Sequence, residues 1–327
     1  MTELTDIVPE LMPANSVAIP ISPTDDWAAY NGKYYQLATV SAESDFTFSN
    51  GTITDYVGNG GMVIIPQTIG GVAVTAINAN VFRNSVNLQK ITGVVFPYGM
   101  TTLGLGQMLG GGSLISAIIP ETVTGLNGYT FYGCTSLQKV TLPSDIGTVL
   151  QDSEFSSCSR LTDIVLPGNL VEIKAGAFGG CSLLTSIGGD LPRTLTTIGG
   201  SAFGYCSKIE AMTLPSGLTS VGDSAFRACR FQSPLIIPSG LIAYPGNCFF
   251  GLLGVTKVTF PVGADNFGNY SFGECSLLRE AHFEGNAPTV FGSNVFAPYS
   301  GFKITYNTGA TGWTNPWNGF TTEEVSP

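Results

Sequence analysis

Seven cysteines and one histidine are the residues best suited to chemistry in this 327-residue chain, and their spacing argues against most of it. A structural zinc site needs four thiolates or imidazoles, commonly delivered in C-x-x-C pairs. No such pair occurs, and His282 is the only imidazole. Six cysteines (Cys134, Cys158, Cys181, Cys206, Cys229 and Cys275) instead stand three residues after a phenylalanine. A residue fixed at one place in a recurring unit reads as a buried small hydrophobe, not a ligand. Parallel side chains one rung apart seldom reach the disulfide dihedral, so these thiols are expected to be free. Cys248, directly before Phe249, stands outside the pattern.

The remaining chemical candidates are equally sparse. A hydrolase triad needs Ser, His and Asp in one constellation, whereas His282 sits at an outward strand position beside Glu280 and reads as a surface residue. Glycan cleavage needs convergent carboxylates. The acids here are scattered: Asp152 and Glu154 at a corner, Asp163 on a strand, Glu172 after it. Gly104, Gly106 and Gly110 lack both the dinucleotide-loop spacing and its strand–turn–helix setting. Asn50-Gly51-Thr52 and Asn269-Tyr270-Ser271 are glycosylation sequons, of consequence only in an exported eukaryotic protein. No catalytic residue, metal or cofactor is expected.

What positions these residues is a repeat. Phe131, Phe155, Phe178, Phe203, Phe226, Phe249 and Phe272 recur at 23 to 25 residues, with Phe82 and Met108 before them and Phe296 after. A second ladder, from Pro97 through Pro120, Pro143, Pro167, Pro192, Pro215 and Pro238 to Pro261, has the same period. Within one unit, Leu137-x-x-Val140-x-Leu142 places Val140 and Leu142 on one pleat face and Lys139 and Thr141 on the other. Pro143 then ends the strand, because it has no N–H for the ladder. Small runs such as Gly199-Gly200-Ser201 and Gly222-Asp223-Ser224 suit tight corners with positive φ or short capped turns. A single unit cannot bury its apolar edge, so units must stack.

These residues resemble the BspA-like, or Treponema-type, leucine-rich repeats. Ala177-Phe178 with Cys181, Leu184 and Ile187 carries the pattern, as does Ala202-Phe203 with Cys206, Ile209, Met212, Leu214 and Pro215. The resemblance spans roughly residues 60–300 and implies a repeat solenoid, mainly β, of about nine 23-residue units. The expected organisation is an extended acidic arm (1–40), an opening β module (41–81), the solenoid (82–283) and a last repeat with a β cap (284–327). Three rungs depart from the pattern and should pack less regularly. Met108 and Gly111 replace Phe and Cys in one, Leu252 replaces Cys in another, and Phe231 and Pro234 disturb the Leu spacing in the third.

Composition restricts the partners. Net charge is −10, with eight acids and one base before residue 83, and no basic stripe. Nucleic acid and anionic membrane are therefore poor partners. No apolar run is long enough to span a bilayer, and no signal peptide is visible. The resemblance implies surface recognition or adhesion, placing the chain outside the cell, on a cell surface or on a virion. The outward strand positions are the expected partner-binding face: Lys90, Thr92, Lys139, Thr141, Asp163, Val165, Thr213, Lys257, Thr259, Glu280 and His282. Ser116, Ile118 and Ala211 belong to the same stripe. Its partner would be a protein or glycan on another surface. An alternative is a virion component that contacts neighbouring subunits through the arm, anchored by Trp27, Tyr30, Tyr34 and Tyr35. A polysaccharide-cleaving solenoid is the third alternative. Trp313, Trp317 and Phe320 are expected to cap the final rung.

Overall fold

The computed structural model describes residues 40–326 except 80, 84, 86, 102, 104–111, 210, 211 and 232, together with the backbone of three earlier strands. Met108, Gly111, Ala211 and Trp27 lie outside the described residues, as do the side chains of Tyr30, Tyr34 and Tyr35. In the segment read as an extended arm, the backbone pairs with itself. Lys33–Thr39 lies antiparallel between Ser16–Pro20 and Ala28–Tyr30.

From there the chain coils into a β-solenoid with almost no helix, each turn using about 23 residues. One side of the coil is a strand face. Gly61–Ile64, Ile91–Val95, Ser116–Ile118 and Lys139–Thr141 pair in parallel, Ser116 facing Lys139 and Ala117 facing Val140. Single bridges carry the ladder through Asp163 to Ser186. It resumes as Leu235–Ile236, Lys257–Phe260, Glu280–Phe283, Lys303–Asn307 and Thr322–Val325. The alternation read from the sequence is present: Val140 and Leu142 are buried, Lys139 is exposed and Thr141 is half-buried. The stack thus extends past the motif at both ends, into the opening module and into the cap.

A second side is built from two-residue strands. Val149–Leu150, Glu172–Ile173, Thr197–Ile198 and Ser220–Val221 pair in parallel. Ala243–Tyr244, Asn266–Phe267 and Val290–Phe291 form a second such ladder. In every strand but the last, Val290–Phe291, one member is buried and its neighbour stays partly or fully exposed; there Phe291 is half-buried and Val290 exposed.

The third side holds the phenylalanine column, and its backbone is not β. Residues two before and two after each Phe are left-handed, including Ser153 (φ 51), Ser201 (φ 54), Tyr205 (φ 63) and Ala228 (φ 56). This kinked path points one peptide N–H after another at the next turn. The Phe155 N–H donates to the Ala177 carbonyl, Phe178 to Ala202, and Phe203 to Ala225, at 2.7–2.8 Å. Inside, the rings from Phe131 to Phe272 stack at centroid separations of 5.2, 5.4, 5.3, 5.6, 5.4 and 4.9 Å, none tilted by more than 18°. All of them are buried.

Two expectations about this side are refined by its geometry. Positive φ falls on Ser201 and Ser224, whereas Gly199 and Gly222 serve close approach. A Cβ at Gly222 would sit 2.3 Å from the Gly200 nitrogen, and one at Gly199 2.5 Å from the Ala175 nitrogen. The corner is therefore thin because neighbouring turns touch backbone to backbone.

The cysteines do more than fill space. All seven are buried and none is in a disulfide. Cys158, Cys181, Cys206, Cys229 and Cys275 each donate S–H to the carbonyl of the Phe one turn earlier, at 2.9–3.3 Å. Burial pushes the thiols of Cys181, Cys229 and Cys275 up to about 12, which suppresses the reactive thiolate. A thiol-specific disulfide reagent is expected to titrate none of the seven in the native protein and all of them after unfolding. Prompt reaction of several thiols in the native state would contradict the buried ladder.

The ends of the stack are closed by different means. At the start, Asn50-Gly51 (φ 49 and 80) makes the tight turn of a hairpin between Phe46–Ser49 and Thr52–Tyr56. At the other end Trp313 packs 5.0 Å from Phe283, Trp317 4.7 Å from Phe291, and Phe320 5.3 Å from Phe302. These aromatics cover the final rung.

Candidate recognition surface

The outward stripe of the strand face falls into two patches. In the first patch Lys90, Thr92, Lys139, Asp163 and Val165 are exposed, and Val165 is 63% exposed despite being apolar. Ile118 belongs to the same stripe by spacing but is buried. With Ile64 and Val95 it forms a small apolar cluster on the outside of the sheet, covered by Val40. Ser41 pins that cover in place: its N–H donates to the Ile64 carbonyl and its hydroxyl accepts from the Ile64 N–H. The first three strands of this face are thus partly occupied by the chain that enters the solenoid.

Among the described residues no strand pair joins Ser186 to Leu235, a stretch that includes Glu210 and Ala211, which lie outside the described residues. Phe231 and Pro234, where the Leu spacing is disturbed, lie at the end of that stretch. An open notch of about 400 Å³ there is lined by Met212, Thr213, Leu214, Pro234, Leu235 and Ile236. Thr213 turns its hydroxyl to the Asp190 carboxylate, 2.8 Å away, and Ile236 is 58% exposed.

The second patch is a connected polar network. Lys257 and Glu280 form an ion pair at 2.9 Å, and Thr259 lies opposite His282 in the parallel ladder. The Thr305 hydroxyl donates to Glu280 at 2.9 Å and lies 2.9 Å from the Nδ1 of His282. A hydroxyl has one proton, and here it goes to Glu280, so Nδ1 of His282 carries the hydrogen and donates. Burial acts to raise the Glu280 carboxyl, but the bonds from Lys257 and Thr305 outweigh it and hold it below its ordinary value. Partial burial and the nearby Lys257 charge lower the His282 imidazole, which favours the neutral ring. His282 is therefore a half-buried member of a network and not a freely exposed surface residue.

The acids weighed as a hydrolytic pair do not converge. Asp163 is on the strand face, Glu172 on the second side, and Glu154 is wholly buried beside the phenylalanine column. Glu154 is not the corner residue its spacing suggests: it occupies the inward position held by Ala177, Ala202 and Ala225 in later turns. Among the described residues no group of three or more His, Cys, Asp or Glu side chains could hold a metal ion. Among them, too, no helix is long and apolar enough to cross a membrane.

A parallel coil with a Phe–Cys interior and a strand face free to meet other molecules defines a leucine-rich-repeat solenoid. The chain belongs to the BspA-type leucine-rich-repeat family, whose sequence model matches six copies over residues 75–209 and 184–303. The fold is similar to that of a leucine-rich cell surface protein from Faecalibacterium prausnitzii (21% identity, 80% of this chain and 85% of that one, TM-score 0.41). It is similar also to the leucine-rich-repeat protein of T. pallidum (22% identity, 73% and 91%, TM-score 0.32). The pneumococcal vaccine antigen PcpA is a further match (14% identity, 91% and 93%, TM-score 0.46). No curated protein matches the chain significantly.

Proposed function

We propose that this chain is a non-enzymatic recognition or adhesion protein, displayed on a surface, that presents its strand face to a protein or glycan partner. The observation that carries this reading is the face itself. It is held rigid by in-register parallel pairing and carries exposed Val165 and Ile236 among Lys139, Asp163 and Lys257. Exposed apolar side chains among mixed charges offer a partner both area to desolvate and polar contacts at the rim. Membership in a family of leucine-rich-repeat surface proteins supports the same reading.

The test is a pair of charge and volume changes on the face. Binding of the purified chain to intact cells and to immobilised extracellular proteins would be compared between wild type, Lys139→Glu/Lys257→Glu and Val165→Asp/Ile236→Asp. At least a tenfold loss is expected from the second pair with an unchanged melting temperature, because neither side chain contributes to the core. Equal binding by all three forms would overturn the assignment to the strand face.

A further inference from the structure

The phenylalanine side carries a second surface whose composition is hard to explain by folding. At its left-handed positions most turns use Gly, Ser, Asn or Ala, such as Gly176, Ser201, Ala228 and Asn247. Tyr129 (φ 58), Tyr205 (φ 63), Tyr270 (φ 58) and Glu274 (φ 55) are the exceptions, and three of these four are tyrosines. A bulky side chain is disfavoured in this conformation, so it needs a compensating gain. Burial does not supply one, because the three rings are 44%, 54% and 40% exposed.

The three tyrosines are not isolated either. The Arg227 guanidinium sits 5.7 Å from the Tyr205 ring centroid and 4.6 Å from that of Phe250, and Phe250 lies 6.2 Å from Tyr270. This makes one continuous run of four planar groups across successive turns. Tyr129 and Tyr132, 5.9 Å apart and both exposed, form a second cluster nearer the start of the stack. Between the clusters the outer surface is made of small residues, including Ser153, Ser156, Ser157, Gly176 and Gly179, which leave a hydroxylated backbone floor.

We propose that this side is a glycan-binding platform, on which a linear neutral oligosaccharide lies along the solenoid axis with its sugar rings on the exposed aromatic faces. A pyranose has an apolar C–H face that stacks on a π-surface and an equatorial rim of hydroxyls that needs donors and acceptors. Aromatic rings beside a Ser- and Gly-lined floor offer both. One pyranose is also about as long as one turn of the stack is high, so each sugar ring spans about one turn. Charge selects a neutral ligand. The net charge of −10 disfavours polyanions, and Arg227 is already sandwiched between two rings. The platform is separate from the strand face, so either surface can fail without the other.

The test uses cellohexaose, laminarihexaose, mannohexaose and xylohexaose as probes, with titration calorimetry on the intact chain. Three forms are compared: wild type, Tyr205→Asn/Phe250→Ser/Tyr270→Asn, and the strand-face variant Lys139→Glu/Lys257→Glu. Asparagine tolerates the left-handed backbone, so the triple variant is expected to melt at or above the wild-type temperature. Wild type and the strand-face variant should bind at least one hexasaccharide, and the triple variant at least tenfold more weakly. Absence of wild-type binding to all four probes would overturn the proposal, as would equal binding by the triple variant. So would a preference for a proline-rich decapeptide over every glycan. A triple variant that melts lower than wild type would show that the tyrosines serve the fold.

Discussion

Replacing Phe203 with alanine is expected to destabilise the solenoid by about 3–5 kcal/mol, the cost of removing a fully buried aromatic from a core that cannot collapse around the gap. Phe203 is fully buried, stacked 5.3 Å from Phe178 and 5.6 Å from Phe226. Each turn contacts only its neighbours, so the loss removes coupling between two halves of the stack as well as local packing. Chemical denaturation followed by circular dichroism should show a lower midpoint for Phe203→Ala, with a broadened or split transition. Val262→Ala, at a side chain 70% exposed, serves as the control and should change little. An unchanged midpoint for Phe203→Ala would mean that the ring column does not hold the turns together.

The second large effect concerns Glu154. Burial raises its carboxyl from 4.5 to about 7; the Thr130 hydroxyl and the backbone of Gly128 and Thr130 pull the other way. Those groups lie near the carboxyl but none is aligned well enough to close a hydrogen bond to either oxygen, so the buried group is best accommodated neutral. A folded-state value above the unfolded one means that the folded chain holds the proton more tightly. Its contribution is complete below about pH 4.5, declines as pH rises, and is gone above about 7. The difference amounts to roughly 3 kcal/mol. The wild type should therefore melt several degrees lower at pH 8 than at pH 5. Glu154→Ala, which reproduces the residue found at Ala177 and Ala202, should lose that dependence and be the more stable form at pH 8. A melting curve in Glu154→Ala that keeps the wild-type pH dependence would assign it to another group.

Much of this fold was legible because a solenoid repeats its physics. The phenylalanine and proline ladders gave the period, and Leu137-x-x-Val140-x-Leu142 gave the inward and outward alternation later found in the strand face. Pro234 and Phe231 marked a rung of irregular spacing. What escaped were features set by contacts between turns. Cys181 was legible as buried, but its bond to the Phe155 carbonyl depends on where the previous turn places that oxygen. Glu154 looks like a corner acid because small, turn-forming residues precede the Phe in other units. Its equivalence to Ala177 and Ala202 was the available signal. Ile118 had the spacing of an outward residue, and only the non-repeating Val40 makes it a buried one. His282 was placed beside Glu280, but its hydrogen bond to Thr305 links residues 23 positions apart. Of the proposed surfaces, the strand face could be read from spacing. The aromatic platform could not, because Tyr205 and Tyr270 occupy different positions within their turns.

Amide hydrogen exchange resolved by residue tests the parallel stack most directly, because each turn is hydrogen-bonded to the next through defined N–H groups. The amides of Phe155, Phe178, Phe203 and Phe226, each donating to the following turn, should be among the slowest to exchange, and protection should recur every 23 to 25 residues. Fast exchange at those four amides, or protection in contiguous blocks without that period, would contradict the coil on which both recognition surfaces depend.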